Sequence, residues 1–259
     1  MSDTALTELL ASFVPKLIQK KAIQDPTPID SPVAQDFPAV VLFADISGFT
    51  ALTERLAEKG PLGVEALARI LNEYFGQLID IVYEYGGDVV KFAGDALIAI
   101  WPIASVAGMA DSVSAETQRQ WTLRAAECAL KMRAQLLNYQ SPESKLYLKI
   151  ALGTGQIWQS HIGGVFNRWE FVLVGDPLVE VGAANDNARA GDVIVTQSSW
   201  ELIKEDCNAV PFEFALNGRT ETAARLESLR SSSQVAAGRE TLKVPEEAQA
   251  ALRPYIPGA

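Results

Sequence analysis

The sequence predicts a mixed α/β (α+β) fold, a sheet of parallel and antiparallel strands covered by helices. Three observations predict it. Short apolar runs of strand length alternate along the chain with stretches of helical period. A Gly94-Asp95 pair divides residues 88–101 into the two arms of a hairpin. The 259 residues, 48% hydrophobic and 21% charged, have ordinary globular composition and can bury a substantial core.

The elements follow in chain order. Leu6, Leu9, Leu10, Phe13, Leu17 and Ile18 lie at helical spacing and predict one N-terminal helix over residues 4–23. The proline-rich DPTPIDSP, residues 25–32, ends it as a linker. FPAVVLFADI then reads as a buried strand, and residues 64–85 as a helix whose Leu67, Ile70, Leu71, Tyr74, Phe75, Leu78, Ile79 and Val82 share one face. Gly86 and Gly87 stop that helix. After the hairpin come a helix over 115–139, strands at 146–153, 169–174 and 193–196, a helix over 176–190 and another over 198–205, and a strand at 212–216. Residues 217–239, rich in Arg, Ser, Thr and Ala, read as a loop. The order fits a ferredoxin-like βαββαβ core, with 1–32 as N-terminal helix and linker, 33–216 as the main domain, and 217–259 as loop and C-terminal linker.

Composition narrows the function. With 22 basic and 32 acidic residues the net charge is -10, which disfavours nucleic acid and anionic membranes as partners. An anionic substrate must therefore be held by local groups. Two cysteines make no disulfide framework. The start, MSDTALTELLASFVPK, lacks the order of a signal peptide. The longest uncharged run, residues 96–110, is shorter than the roughly 18 residues a membrane helix needs. The expected location is the cytoplasm, with no membrane insertion.

Two motifs carry chemistry. In FADISGFT, Phe43 to Thr50, Asp45 ends a strand and the Ser47-Gly48 turn leaves the N–H groups of the next helix start unpaired. Such groups cradle phosphates, and a carboxylate beside them can hold a hard cation. In KFAGDAL, Asp95 follows Gly94 at the hairpin tip. If that hairpin lies beside the first strand, the two carboxylates converge on a pair of divalent ions. Singly, Asp45 reads as a helix N-cap and Asp95 as a turn residue. Together, with GGD at 86–88 and Lys91, they point to a metal site.

FADISGFT followed by YGGDVVKFAGDALIAIW resembles the core signature of class III adenylyl and guanylyl cyclases. The wording is most similar to the first catalytic domain of bicarbonate-responsive soluble adenylyl cyclases, over roughly residues 38–200. The resemblance implies the class III cyclase fold and conversion of ATP, or less readily GTP, to a cyclic nucleotide and pyrophosphate. It implies two Mg²⁺ or Mn²⁺ per active site on Asp45, Asp95 and the Ile46 carbonyl. The triphosphate would touch the loop Ser47, Gly48 and Phe49, the Thr50 hydroxyl, and Gly94. It also implies a head-to-tail dimer in which each site draws on two domains.

The resemblance further implies that one half-site is depleted. The family pattern GDxVNxxxR aligns without a gap on FVLVGDPLVEVGAANDNARAGDVIV, so Val179 and Ala183 stand where an Asn and an Arg steady the transition state. Val172 stands at the base-reading position. Asn185 and Arg189 share the i, i+4 spacing but lie six residues further, about 9 Å along a helix, and read as surface residues. Lys149 occupies a phosphate-binding position of the family and reads equally as an exposed strand lysine. Lys91 reads either as an adenine contact or as the lining of a degenerate bicarbonate pocket, whose arginine is here Gly182. The chain would thus bring metals and phosphate contacts and need a complementary second domain; PEEAQAALRPYIPGA resembles the linker into such a domain.

Other classes fit less well. A diguanylate cyclase would need EF after GGD, where VV stands. The single histidine, His161, reads as a surface turn residue rather than a base of a hydrolase. No GxxxxGK phosphate loop is present. A cyclase-like module that binds nucleotide or a small anion and regulates a partner without turnover is the remaining alternative.

Overall fold

The computed structural model describes residues 3–103, 113–137, 140–141, 144–236 and 238–256. Its elements are α1 (Asp3–Ser12), α2 (Lys16–Gln24), β1 (Val33–Ser47), α3 (Phe49–Ala57), α4 (Pro61–Glu84), β2 (Asp88–Ala93), β3 (Ala96–Pro102) and α5 (Ala115–Leu137). A two-residue ribbon, β4 (Gln140–Ser141) and β5 (Ser144–Lys145), precedes β6 (Tyr147–Gly163), β7 (Trp169–Val174), α6 (Asp176–Asp186) and β8 (Val193–Thr196). Then come α7 (Gln197–Ile203), β9 (Cys207–Leu216), β10 (Arg219–Leu229) and α8 (Gln249–Leu252). The second half of the uncharged run, residues 104–110, the last two residues of the helix expected over 115–139, and residues 257–259 of the C-terminal linker lie outside the described residues.

Among the described residues eight strands form one mixed sheet in the order β2-β3-β1-β6-β8-β10-β9, with β7 pairing the far half of β6. The first four strands are antiparallel neighbours, and β6 with β8 is parallel. β1, β2, β3 and β6, with α4 and α5 between them, make the expected βαββαβ core. Strand alternation sorts β1 by parity. Val40, Leu42, Ala44 and Ile46 enter the core shared with α4 and α5, while Phe37, Ala39 and Val41 join Val181 and Ala184 of α6 on the other face. Asp45 has the parity of the α6 face.

Four expectations need correction. The N-terminal helix is two helices, because Pro15 lacks an N–H and starts α2 as its N-cap. Residues 217–239 are not all loop: β10 pairs with β9 along its length and with β8 at Ala223–Arg225, burying Ala223, Ala224 and Leu226. The strand expected at 212–216 begins at Cys207. His161 is no surface turn residue; it lies inside the 17-residue β6, 1% exposed, with Nδ1 2.7 Å from the Tyr255 hydroxyl. The two glycines after it concealed this, since β6 ends only at the first of them, Gly163.

The termini pack together. Leu10, Val14 and Ile18 form a small core with Ala248, Ala251 and Leu252. Cys128 and Cys207 are free and buried. No described helix is long and apolar enough to cross a membrane.

Candidate active site

Asp45 sits near the end of β1, between two partners in register: Ala96 of β3 and Lys149 of β6. Because Ala93 pairs with Ala96, the β2–β3 connection is the two residues Gly94 and Asp95. Gly94 has φ 67°, a conformation that suits glycine at the first position of such a turn. The turn delivers Asp95 beside the end of β1.

The two carboxylates sense each other. Asp45 titrates above the usual carboxylate range, first because it is desolvated and second because of the Asp95 charge. Lys149 opposes the rise, its Nζ 4.0 Å from Asp45 Oδ2, as do hydrogen bonds from the Asn185 side chain and the Ile46 backbone. A desolvated Asp45 carboxylate with the charge of Asp95 beside it is what a divalent cation relieves. The donor set, two carboxylates and the backbone carbonyl of Ile46, is all oxygen and fits Mg²⁺ or Mn²⁺. Among the described residues no group of three or more His, Cys, Asp or Glu is arranged for a metal.

Beyond Asp45 the chain turns directly into α3. Gly48, at φ 97°, is its N-cap and no side chain caps the helix. The first N–H groups, from Phe49 and Thr50 onward, are therefore uncapped by side chains, with Gly48 and Thr50 exposed and Ser47 and Phe49 half-buried. This is the segment where a phosphate cradle is expected from the sequence.

Lys91 lies on the same sheet face, through the register Phe43–Ile98–Lys91. It is exposed and lines a cavity of about 60 Å³ with Ile98, Phe171, Val172 and Leu178. Lys91, expected either as an adenine contact or as the lining of a degenerate pocket, and Val172, which stands where the family has a polar base-reading residue, thus share one pocket with apolar walls.

Helix α6 is held close to β6 by glycine. A Cβ on Gly153 would lie 2.9 Å from Val181 Cγ1 and 3.0 Å from the Pro177 carbonyl. The helix starts near Gln156 and passes Gly153, which brings its last turn level with Lys149 and Asp45. Val179 is 51% exposed and opens on a groove with Asp176, Glu180 and Arg219, while Gly182 and Ala183 are half-buried. Arg189 is exposed, as expected. Asn185 is not: it is 4% exposed, with its Oδ1 buried and without a hydrogen-bond partner. Helical drift had placed it away from the site, but the neighbouring buried Val181 and Ala184 share its face, a signal present in the i, i+4 pattern.

The comparisons with known proteins place the chain in a family. The family model "Adenylate and Guanylate cyclase catalytic domain" matches residues 33–228, and the chain belongs to that family. It is 31% identical over 205 residues to "Adenylate cyclase type 10" of Oryctolagus cuniculus, covering 78% of this chain and 12% of the relative. It is 27% identical over 175 residues to "Adenylate cyclase 1" of Rhizobium meliloti, covering 65% of this chain and 23% of that protein. The chain therefore spans about an eighth to a quarter of the length of these two relatives. Among solved structures, the adenylyl cyclase CyaB from P. aeruginosa superposes with a TM-score of 0.61 at 22% identity, covering 76% of this chain and 96% of that one. The guanylate cyclase domain of RhGC from Catenaria anguillulae, solved with GTP, gives 0.61 at 18% identity, with 75% and 99% covered. These likenesses bear out the cyclase fold.

Proposed function

We propose that this chain supplies the metal- and phosphate-binding half of an adenylate cyclase active site, completed by a second cyclase domain in the same or another chain and acting in the cytoplasm. The observation that supports the reading is the sheet register, which sets the Gly94-Asp95 turn beside the end of β1 where Asp45 stands, just before the glycine N-cap of α3. In the proposed reaction the ribose 3′ oxygen of ATP attacks the α-phosphorus as the bond to the β-phosphate breaks. The products are cyclic AMP and pyrophosphate, and the 3′ proton is lost to solvent.

Asp45, Asp95 and the Ile46 carbonyl would hold two Mg²⁺ or Mn²⁺ ions. When bound, these lower the pKa of the attacking hydroxyl and neutralise the triphosphate. The N–H groups of the Ser47–Thr50 turn and the Thr50 hydroxyl bind the terminal phosphates, with Gly94 allowing close approach at the hairpin tip. Lys149 adds positive charge on the same face, and Lys91 lines the pocket for the base. Val179 and Ala183 can neither donate a hydrogen bond nor balance phosphoryl charge, so transition-state stabilisation must come from the partner domain. The adenylyl cyclase relatives favour ATP over GTP.

The test mixes the purified chain with ATP and Mg²⁺ or Mn²⁺, alone and with a complementary cyclase domain, and measures cyclic AMP. Strong synthesis only in the mixture, abolished by Asp45→Ala or Asp95→Ala, is the expected result; robust synthesis by the chain alone refutes the half-site. The apolar Val179 and Ala183 also favour a second reading, a silent module that binds nucleotide or a small anion and regulates a partner. Metal-dependent ATP binding without turnover in any pairing would select it.

A further inference from the structure

We propose that the groove between the two N-terminal helices and the outer edge of the sheet binds a small amphipathic acid, an apolar body carrying one carboxylate or sulfonate. The groove shares Val90 and Lys91 with the smaller cavity described above and none of the Asp45–Asp95 motif residues. The inference stands whether or not the chain cyclises a nucleotide.

The groove has a volume of about 510 Å³, the size of a small-molecule site. Its apolar walls come from three parts of the fold: Phe13 and Pro15 from the turn between α1 and α2, Ile79 and Tyr83 from α4, and Val89 and Phe92 from β2. Phe13 is 66% exposed and Phe92 47%. Covering two such rings with an apolar body removes them from water, which favours binding.

The polar side of the groove is cationic. Lys16 Nζ lies 4.5 Å and Arg239 Cζ 5.3 Å from the centre of the Tyr83 ring, so two like charges gather on one aromatic. The Lys16 ammonium is buried and has no hydrogen-bond partner among the described residues, a costly state for a charge. The neighbouring acids are already engaged. Asp88 accepts the backbone N–H groups of Lys16 and Leu17, and Glu240 pairs with Lys20 at 2.9 Å. Asp80 pairs with Arg239 at 3.1 Å, but both are exposed and such a pair exchanges readily. An acid head would therefore give Lys16 its missing acceptor and draw in Arg239, while its body lies along Phe13 and Phe92. With a net charge of -10 the chain as a whole repels acids, so capture depends on these two cations.

The probe is anilinonaphthalene sulfonate, titrated into the full chain and followed by its fluorescence. It should bind at a single site, be displaced by decanoate, and resist displacement by decyltrimethylammonium, which has a body of the same length and the opposite charge. Lys16→Met removes the ammonium and keeps the stem; binding should weaken about tenfold or more in a chain that still unfolds cooperatively. Arg239→Met, at an exposed residue, should weaken it about threefold and keeps the test open if the lysine variant does not fold. Lys131→Met, on the exposed face of α5, should bind like the wild type. A wild-type chain that leaves the probe free overturns the proposal, as does displacement by the ammonium as readily as by the acid. Folded Lys16→Met or Arg239→Met with wild-type affinity overturns it too, because the probe would then sit elsewhere.

Discussion

The carboxylate of Asp88 accepts the Lys16 N–H at 3.0 Å from a strand 72 residues further along the chain. Its second oxygen takes the Leu17 N–H at 3.1 Å. Helix α2 has no side-chain cap from its own N-cap residue, since Pro15 stands there, so β2 supplies one. The third residue of the GGD run thereby ties the N-terminal helices to the hairpin that carries Asp95.

Removing that tie should loosen both. Asp88→Ala leaves two buried N–H groups without acceptors, a loss of about 1–3 kcal/mol. Urea denaturation would measure it, and a variant as stable as the wild type would show the cap to be dispensable.

Asp88 and His161 should also give opposite pH responses. Burial pushes Asp88 up to about 6, against the pull of its two backbone hydrogen bonds, and pushes His161 down to about 4, with Lys21 adding to the fall. For Asp88 the folded value lies above the unfolded one, so its contribution is full at low pH and is lost as pH rises through about 6. For His161 the folded value lies below the unfolded 6.5, so its contribution is full above 6.5 and is lost as pH falls toward about 4. Between pH 7 and pH 5 acidification thus favours folding through Asp88 and opposes it through His161. Denaturation midpoints should fall further on acidification in Asp88→Ala than in the wild type, and less in His161→Gln. Parallel pH profiles for all three proteins would contradict the assignment.

What could be read from the sequence was whatever rests on local pattern. The Gly94-Asp95 turn, and the strands at 169–174 and 193–196, fall where composition put them, because apolar runs bounded by glycine and polar residues leave little choice. β10 was hidden because its buried positions are Ala223, Ala224 and Leu226, two of them too small to make a strong alternating signal. The partner of His161 was hidden for another reason. Tyr255 lies 94 residues from His161, and no local pattern encodes such a pairing. At the candidate site the motifs that carry Asp45 and Asp95 were legible in the sequence, whereas the burial of Asn185 was not.

The close approach of α6 to β6 makes a steric prediction. Gly153→Ala would place a methyl 2.9 Å from Val181 Cγ1 and 3.0 Å from the Pro177 carbonyl. Backbone cannot yield as a side-chain tip can, so the helix should shift outward, with a loss of about 1–3 kcal/mol. Urea denaturation would measure the loss, and Gly182→Ala, with open space at its Cβ, is the control and should leave stability unchanged.

The depleted half-site can be tested by restoring it. Val179 is 51% exposed and Ala183, one helical turn on, is half-buried, so Val179→Asn with Ala183→Arg can be introduced without opening the core. Side chains at i and i+4 share one helix face, which is the arrangement needed to present an amide and a guanidinium together to a facing domain. If two copies of this chain associate head to tail, each would then offer these groups to the Asp45–Asp95 pair of the other. Since one transition-state donor is worth on the order of a hundredfold in rate, cyclic AMP synthesis by the double variant with Mn²⁺ should exceed that of the wild-type chain by at least that order. The gain should vanish when Asp45→Ala is added. A double variant that folds, self-associates and remains as inactive as the wild type would mean that the missing contribution is more than these two side chains, with the apolar Val172 beside Lys91 the next position to change.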